Sequence, residues 1–597
     1  FYDIDNEIDF YRVNIKDIQP DHTRFRVDKK IGKLYFKRKD KDIFLEHIPS
    51  INGIYFYLKG TKSIRIKPEI YGDIGLYTYV EFHSLIKRVP IRFVLEKKGV
   101  DESQRLFKAE FGRMSRPLFN RVNLKKGDTF QLLFQGTGIV YFSKPIIYRR
   151  RDKQHRKNIF LIGVDTLRGD HIGMNVGGQS LTPHIDQFVK DGVCFKNAYA
   201  QSSWTIPSFI SLFSGLYEFN HNVDIRHPLT LDKPHLVENL SEKYITFGLH
   251  GGCGLDGRWG YYRGFDFYQR LVSTGPLFPE GGKSLFNRAM AFLKESQFPR
   301  FFFFLHTYQV HSPYTPPRDF LFRINKTPRH FGLTAISHGN LSEKYLPVDD
   351  ELRHSLMELY QAEVLAFDTY FGHFIQELKK ENLYENALII LMSDHGEEFF
   401  EHKGWEHCHS LYDELIKVPL IIKFPGGEHK DTRISNPVGI IDIMPTILGY
   451  CQIEYNKEKI DGVDSMPLIR GEGKLRRDFL ISSLSTSRYL LAIPPKLAFI
   501  FDNYKLIYNY PFSEKDLEFF KNEGLPPEYL KIELYNLGQD LSEINNIAEL
   551  NKDKVKKFLP IIMDLKKRIN KILSARLKTP HKLDKEVIKK LETLGYL

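Results

Sequence analysis

Two widely separated segments each run apolar and then break on an aspartate: NIFLIGVDTLRGDH at 158–171 and ALIILMSDHGEEF at 387–399. Ligands and metals collect where the strands of a parallel α/β sheet end at their carboxyl edge. Asp165, Asp394 and His395 are therefore expected to meet there and form a metal site. Between them, SSWTIPSFISLFSG (202–215) places Thr205 just ahead of a helix begun by Pro207 and Ser208, since proline suits a first helical turn. A hydroxyl there faces helix amides that favour an incoming phosphate or sulfate, and it becomes a nucleophile once a metal or base takes its proton. Taken singly, each residue has a plainer reading: a strand-end aspartate is usually a turn former, and a helix-start threonine usually a cap.

The elements that must position these groups are legible in the pattern. After residue 158, apolar runs FLIGV, FFFFLH and ALIILM alternate with helical stretches such as DDELRHSLMELYQAEVLAFDTYFGHFIQELKKENL. That alternation predicts an α/β fold, a parallel sheet covered by helices on both sides. Residues 1–150 read differently: GIYFYLKG, YTYVEFHSL, PIRFVLEKKG and DTFQLLFQGTGIVYF are short β-branched or aromatic runs between turn residues, the pattern of a β-sandwich. Such a domain binds glycans in some proteins and merely packs against an enzyme in others, so fold alone assigns it no role. The basic residues of 151–157 form a linker.

In order along the chain, DTLRGDH, TPHIDQFVKDGVCFKNAYA, TIPSFISLFSGLY, HTYQVHSPYTPP, SDHGEEFFEHKGWEH and LYDELIKVPLIIKFPG resemble the blocks of the sulfatase family, part of the alkaline phosphatase superfamily. The resemblance runs from Asn158 to the C-terminal LETLGYL. It implies a catalytic α/β domain over 158–475 and, over 476–597, a small antiparallel subdomain with a helical tail. Carried over residue by residue, Asp165, Asp394 and His395 match metal ligands and Thr205 supplies the fourth. His311 matches the histidine that reaches the substrate ester. His407 stands where a side chain contacts the transferred group, with His409 a competing alignment. His306 and His402 read as structural or peripheral, Glu363 and Asp368 as structural, and Arg168 with Asp170 as a pair bracing the first metal loop.

The departures direct the functional expectation. Where the family carries a Cys or Ser that becomes formylglycine, followed by Pro-Ser-Arg, this chain has Thr205, Ile206, Pro207, Ser208 and Phe209. Threonine cannot yield that aldehyde. The Lys-x-His sulfate-binding block has no clear counterpart in TFGLHGGCGLDG, where His250 is a loose substitute. Threonine as nucleophile resembles instead the phosphoryl-transfer branches of the superfamily, such as nucleotide pyrophosphatase/phosphodiesterases. The expectation is a phosphoester hydrolase or phosphotransferase working through a phosphothreonine, with phosphodiesters favoured over monoesters. The rival readings are a sulfuric ester hydrolase and a non-catalytic binding protein that keeps its metal site. Thr166 stands where many sulfatases have a second acidic residue, so the donor set of carboxylates, imidazole and hydroxyl favours one zinc or manganese ion over calcium or magnesium.

Composition fits an enzyme without naming one. The 597 residues are 42% hydrophobic and 14% aromatic, enough for more than one domain. The formal charge of +12 is spread over lysine-rich stretches. No nucleic-acid motif accompanies it, and an anionic ester on a lipid, glycan or small molecule is the expected partner. The four cysteines show neither metal spacing nor a disulfide framework. No run approaches a membrane span. Oligomeric state is not encoded legibly. The chain starts at Phe1 and relatives of the family are commonly exported, which gives an extracytoplasmic location as the expectation.

Overall fold

The computed structural model describes residues 158–578 apart from 226, 272–279, 297, 326–348, 474, 476, 485–494 and 511–530, together with the strands and some turns between 10 and 149. Every residue of Asn158–Val164, strand β1, is buried. Side chains alternate across a strand, so Ile159 and Leu161 enter one core while Phe160, Ile162 and Val164 enter another. A strand covered on both faces reads as a continuous apolar run.

Seven more strands join β1: β2 (Val193–Phe195), β3 (Ile245–His250), β4 (Phe267–Arg270), β5 (Phe301–Thr307), β6 (Ala387–Ser393), β7 (Leu420–Lys423) and β8 (Thr432–Ile434). Their order is β4-β3-β5-β1-β6-β7-β2-β8. The five strands from β4 to β6 are mutually parallel, as the sequence predicts. β7, however, runs antiparallel to both β6 and β2. The cause is local: after β6 the chain spends residues 394–419 on the carboxyl edge without a crossover helix, and re-entry from that same edge must be antiparallel.

Helices α1 (Pro183–Lys190), α3 (Gly281–Glu295) and α4 (Asp350–Lys380) cover one face, and α2 (Thr205–Ser214) with α5 (Ile443–Tyr450) covers the other. The Asp349 carboxylate caps α4 by accepting from the Leu352 N–H at 2.8 Å, and Lys379 and Lys380 sit at the opposite end of its dipole. The carboxyls of Glu363 and Asp368 on α4 are structural. Glu363 accepts from Gln309 Nε2 and the Thr315 N–H, and Asp368 from the N–H groups of His184 and Ile185 at the start of α1. All ten residues of α2 are buried, and Gly215 ends it in the left-handed region at φ 67°. Gly163 on β1 lets α2 approach: a Cβ there would lie 2.8 Å from Phe209 Cζ.

Ahead of β1, eight strands form one continuous antiparallel sheet. The strand Thr129–Phe142 pairs with Ile91–Lys98 along its first half and with Gly72–Ser84 along its second, which joins the two halves of the sheet. Tyr77 and Tyr148 fasten it to the catalytic sheet, with ring centroids 5.8 Å from Phe247 and 4.8 Å from Phe298 respectively. At the other end, β9 (Leu480–Leu484), β10 (Lys496–Phe501), β11 (Tyr504–Asn509) and β12 (Ile532–Asn536) make an antiparallel meander, against which Phe558 of α6 (Lys552–Lys578) packs. Buried Lys505 on β11 reaches Asp413 Oδ1 and Glu543 Oε1 at 2.7 Å each, tying this sheet to the segment that follows β6.

Candidate active site

Asp165 is the first residue beyond β1, and its N–H donates to the Thr307 carbonyl at the end of β5 (3.1 Å). Thr166 follows at φ 56°, an uncommon left-handed conformation for a threonine. Its carbonyl accepts from the Tyr360 hydroxyl (2.8 Å), and that hydroxyl in turn accepts from the Arg168 N–H (2.9 Å). Ser393 Oγ accepts from the Leu167 N–H and donates to the His395 carbonyl, so one hydroxyl fixes the two carboxylate loops relative to each other. Ser208, in the first turn of α2, donates to the Asp394 carbonyl at 2.6 Å. Arg168 braces the outer side as expected, with a bidentate pair to Asp170 (3.0 and 2.7 Å) and a further contact to Glu401 (2.7 Å).

These braces bring together the residues that sequence places 40 and 190 positions apart. Asp165, Asp394 and His395 are fully buried and offer ligand atoms within 4.8 Å of one another. Thr205 Oγ1 donates to Asp165 Oδ2 at 3.3 Å and lies 3.3 Å from His395 Nε2. Thr205 is itself the first residue of α2, with Trp204 as the cap, and so sits inside the helix where the sequence pattern puts it just ahead. Pro207 still falls within the first turn.

The residues fit a divalent cation. Asp165 Oδ1 and both carboxylate oxygens of Asp394 are buried and receive no well-formed hydrogen bond. Burial pushes both carboxyls well above their ordinary range, and each neighbouring charge adds to the effect at Asp165. His395 Nδ1 faces the Gly396 carbonyl at 2.9 Å, which sets that nitrogen as the donor and turns Nε2 toward the carboxylates as a bare acceptor. Burial holds this imidazole neutral. Two carboxylates, one imidazole and a hydroxyl form the mixed donor set that zinc and manganese accept.

The histidines sort by geometry. His407 Nδ1 pairs with Glu397 Oε1 at 2.7 Å, and its ring centroid lies 4.6 Å from that of His395 and 5.1 Å from that of His311. His311 Nδ1 is held by the Ser312 carbonyl, while its buried Nε2 has no partner. His409 Nε2 turns to Glu398 Oε2 (2.6 Å), so of the two residues it is the His407 ring that lies beside His395 and His311. His306, expected to be structural, is instead part of the centre: its Nε2 stands 3.4 Å from Asp165 Oδ2, and neither ring nitrogen makes a hydrogen bond. Its place at the site follows from the register that sets it opposite Gly163 of β1, which the run FFFFLH does not display by itself.

His402 is peripheral, paired with Glu414 at 2.6 Å. Burial alone would depress its pKa, but the hydrogen bond and charge of Glu414 outweigh that and hold it up at about 9, against an ordinary 6.5. A raised folded-state value contributes stability that is complete below about 6.5 and is lost as pH climbs through about 9. Denaturant unfolding between those limits is expected to show the loss in the native chain and not in His402→Gln.

A loop at the carboxyl end of β3 covers Thr205. Tyr308 Oη accepts from the Gly254 N–H (3.1 Å) and donates to the Gly252 carbonyl (3.2 Å). A Cβ on Gly254 would lie 2.8 Å from Thr205 Cγ2. Gly254→Ala is therefore expected to displace Thr205 and lower kcat by roughly 10- to 100-fold with metal content unchanged, since small misplacements of reacting groups cost that much. Steady-state kinetics with metal analysis checks it.

A parallel-containing sheet flanked by helices, with buried carboxylates, imidazoles and a hydroxyl gathered at its carboxyl edge, defines an ester hydrolase of the alkaline phosphatase superfamily. Within it the chain belongs to the sulfatase family, whose profile matches residues 157–453, and residues 401–575 match the profile described as N-sulphoglucosamine sulphohydrolase, C-terminal. Among curated relatives, the uncharacterized sulfatase YidJ of Escherichia coli K12 is 25% identical over 348 residues, covering 50% of this chain and 68% of that protein. Human N-acetylglucosamine-6-sulfatase is 24% identical over 424 residues, covering 60% and 75%. Among solved structures, a protein in complex with its substrate D-glucosamine-2-N,6-O-disulfate aligns with a TM-score of 0.56 at 19% identity, over 70% of this chain and 98% of that one. The phosphonate monoester hydrolase of Agrobacterium radiobacter aligns with a TM-score of 0.53 at 19% identity, over 69% and 96%. At these identities the structural likeness shows the fold alone.

Proposed function

We propose that this enzyme is a metal-dependent hydrolase or transferase of anionic esters, with Thr205 as covalent nucleophile and phosphoesters, diesters ahead of monoesters, as its substrates. The observation that carries the reading is the Thr205 hydroxyl, buried at the first turn of α2 and pointing at Asp165 Oδ2 from 3.3 Å. The first turn of a helix favours the incoming anion. Asp165, Asp394, His395 and Thr205 would hold one zinc or manganese ion, which when bound supplies Lewis-acid neutralisation of charge on the reacting group.

The chain's own groups then account for the protons. Thr205 Oγ1 bonds to phosphorus as the bond to the leaving oxygen breaks, and the hydroxyl proton passes to Asp165 Oδ2. The leaving oxygen takes a proton from protonated His407, whose orientation Glu397 fixes, with the His311 ring beside it. In the second half-reaction, water or an acceptor hydroxyl attacks the phosphothreonine, gives its proton to the same imidazole, and Thr205 recovers its own from Asp165. Hydrolysis and transfer differ only in that acceptor.

A second reading, a sulfuric ester hydrolase acting on sulfated glycans, is favoured by one observation: the curated relatives carry sulfatase names, N-acetylglucosamine-6-sulfatase among them. The N-terminal antiparallel sheet, within the proposed accessory domain 1–150, would on either reading steer access to the site, and an extracytoplasmic setting belongs to the same proposal. Among the described residues no helix is long and apolar enough to cross a membrane. Turnover of paired p-nitrophenyl esters (phosphate monoester, phosphodiester and sulfate), with and without zinc or manganese, separates the two. Metal-dependent phosphodiester cleavage supports the first reading, and sulfate cleavage in its place overturns it.

A further inference from the structure

Arg270 ends β4, in register with His250 at the end of β3. It is half-buried, and its guanidinium lies against Gly252, where a Cβ would stand 2.2 Å from Nε and 2.8 Å from Cζ. Gly252 is at φ 97°, so the backbone conformation and the space for the guanidinium both depend on glycine. The buried Nε has no acceptor, and among the described residues the guanidinium forms no ion pair. Other arginines drawn out of water have partners: Arg168 pairs with Asp170 and Glu401, Arg263 with Glu238 and backbone carbonyls, Arg477 with Asp442, and half-buried Arg258 lies over the Trp259 ring at 4.6 Å. A half-buried guanidinium without a carboxylate is costly to hold.

Its location suggests what it is held for. The loop that Arg270 touches at Gly252 touches Thr205 at Gly254, and Tyr308 Oη clamps both glycines. The segment HGGCGL that forms this loop carries no cationic side chain of its own. The adjacent His250 is stacked on Tyr268 at 4.4 Å and accepts from the Gly252 N–H. Burial, then the Arg270 charge, lowers its pKa to about 3, so it adds no positive charge.

We propose that Arg270 is a substrate-binding residue that grips a non-bridging oxyanion of the ester held against Thr205. One guanidinium matches the single negative charge of a phosphodiester or of a sulfate ester, and leaves the second charge of a phosphate monoester without a partner. The inference rests on the proposed ester chemistry at Thr205 but is tested separately from it. Inorganic phosphate is titrated calorimetrically into the zinc-loaded chain, Arg270→Gln and Arg270→Lys, each also in a Thr205→Ala background where no turnover intervenes.

Loss of a charge-assisted hydrogen bond is expected to raise the phosphate Kd roughly 10- to 100-fold in Arg270→Gln, with partial recovery in Arg270→Lys and unchanged zinc content. KM for the cleaved ester should rise by a similar factor, with kcat changing less. Equal phosphate affinity in the native chain and Arg270→Gln overturns the proposal, as does an equal loss in both variants accompanied by lost zinc or a lowered melting temperature, the mark of a structural role. If no ester is turned over yet Arg270→Gln still weakens phosphate binding, the proposed reaction fails and Arg270 stands.

Discussion

Thr205→Ala is expected to reduce kcat by on the order of 10³-fold or more, about 4 kcal/mol of transition-state stabilisation, while leaving the fold and the metal in place. The hydroxyl stands at the first turn of α2, 3.3 Å from Asp165 Oδ2, and a methyl group in its place cannot bond to the ester. The structural cost is small because the Oγ1 contacts of 3.3 Å are long for hydrogen bonds, and Trp204, not Thr205, occupies the N-cap position of the helix. Asp165, Asp394 and His395 remain to bind metal. Thr205→Ser keeps the nucleophile and should keep measurable turnover, reduced because the methyl that packs under Gly254 is gone. The pattern that decides the matter is alanine silent and serine active, with equal zinc content and melting temperature across all three. Alanine turning over at near-native rate would mean that water attacks directly, and the covalent route would be wrong.

What the sequence disclosed and what it hid follow from the same physics. Asp165 and Asp394 were legible because each interrupts an apolar strand at a fixed edge, and a parallel sheet brings all such edges together. Thr205 was legible from its helix, one position off, because Pro207 marks a first turn without saying which residue in that turn leads it. His306 was hidden by its neighbours: at the end of FFFFLH an imidazole reads as one more buried residue, and only the pairing of β5 with β1 shows that it faces Asp165. The antiparallel entry of β7 was hidden because LIIKF has the same apolar texture as its parallel neighbours. Arg270 was hidden for another reason, since its meaning lies in having no acidic partner among the described residues, and partners across strands are not a property of spacing. Two long stretches, 329–350 and 255–283, give the chain room for loops that would set specificity; the first lies almost wholly outside the described residues, whereas the second, described in part, carries Arg270.

Removing the metal should destabilise the chain, and Asp165→Asn should abolish that response without weakening the metal-free protein. An ion that binds only the folded state stabilises it by RT ln(1 + [L]/Kd), about 2.7 kcal/mol at a hundred times Kd. Chelation withdraws this, and it also exposes Asp165 and Asp394 to their own unfavourable placement: two buried carboxyls of whose four oxygens only Asp165 Oδ2 has a well-placed donor, the Thr205 hydroxyl at 3.3 Å, each pushed well above its ordinary range by burial, with Asp394 raising Asp165 further. Asparagine at 165 keeps the shape and removes one of the two charges. Its metal-free form is therefore expected to melt at or above metal-free native protein, while zinc or manganese no longer raises the melting temperature and turnover is lost, the trade of stability for function that strained sites display. Glu363→Gln is the matched control. Glu363 is equally buried and pushed up to about 8, but Gln309 Nε2 and the Thr315 N–H already satisfy it, so its replacement should leave the metal response intact. Thermal melts with zinc, manganese and chelator on the three proteins carry the comparison. A metal response that survives in Asp165→Asn, or a metal-free asparagine variant melting well below metal-free native protein, would show that Asp165 is held by the fold for some purpose other than a cation.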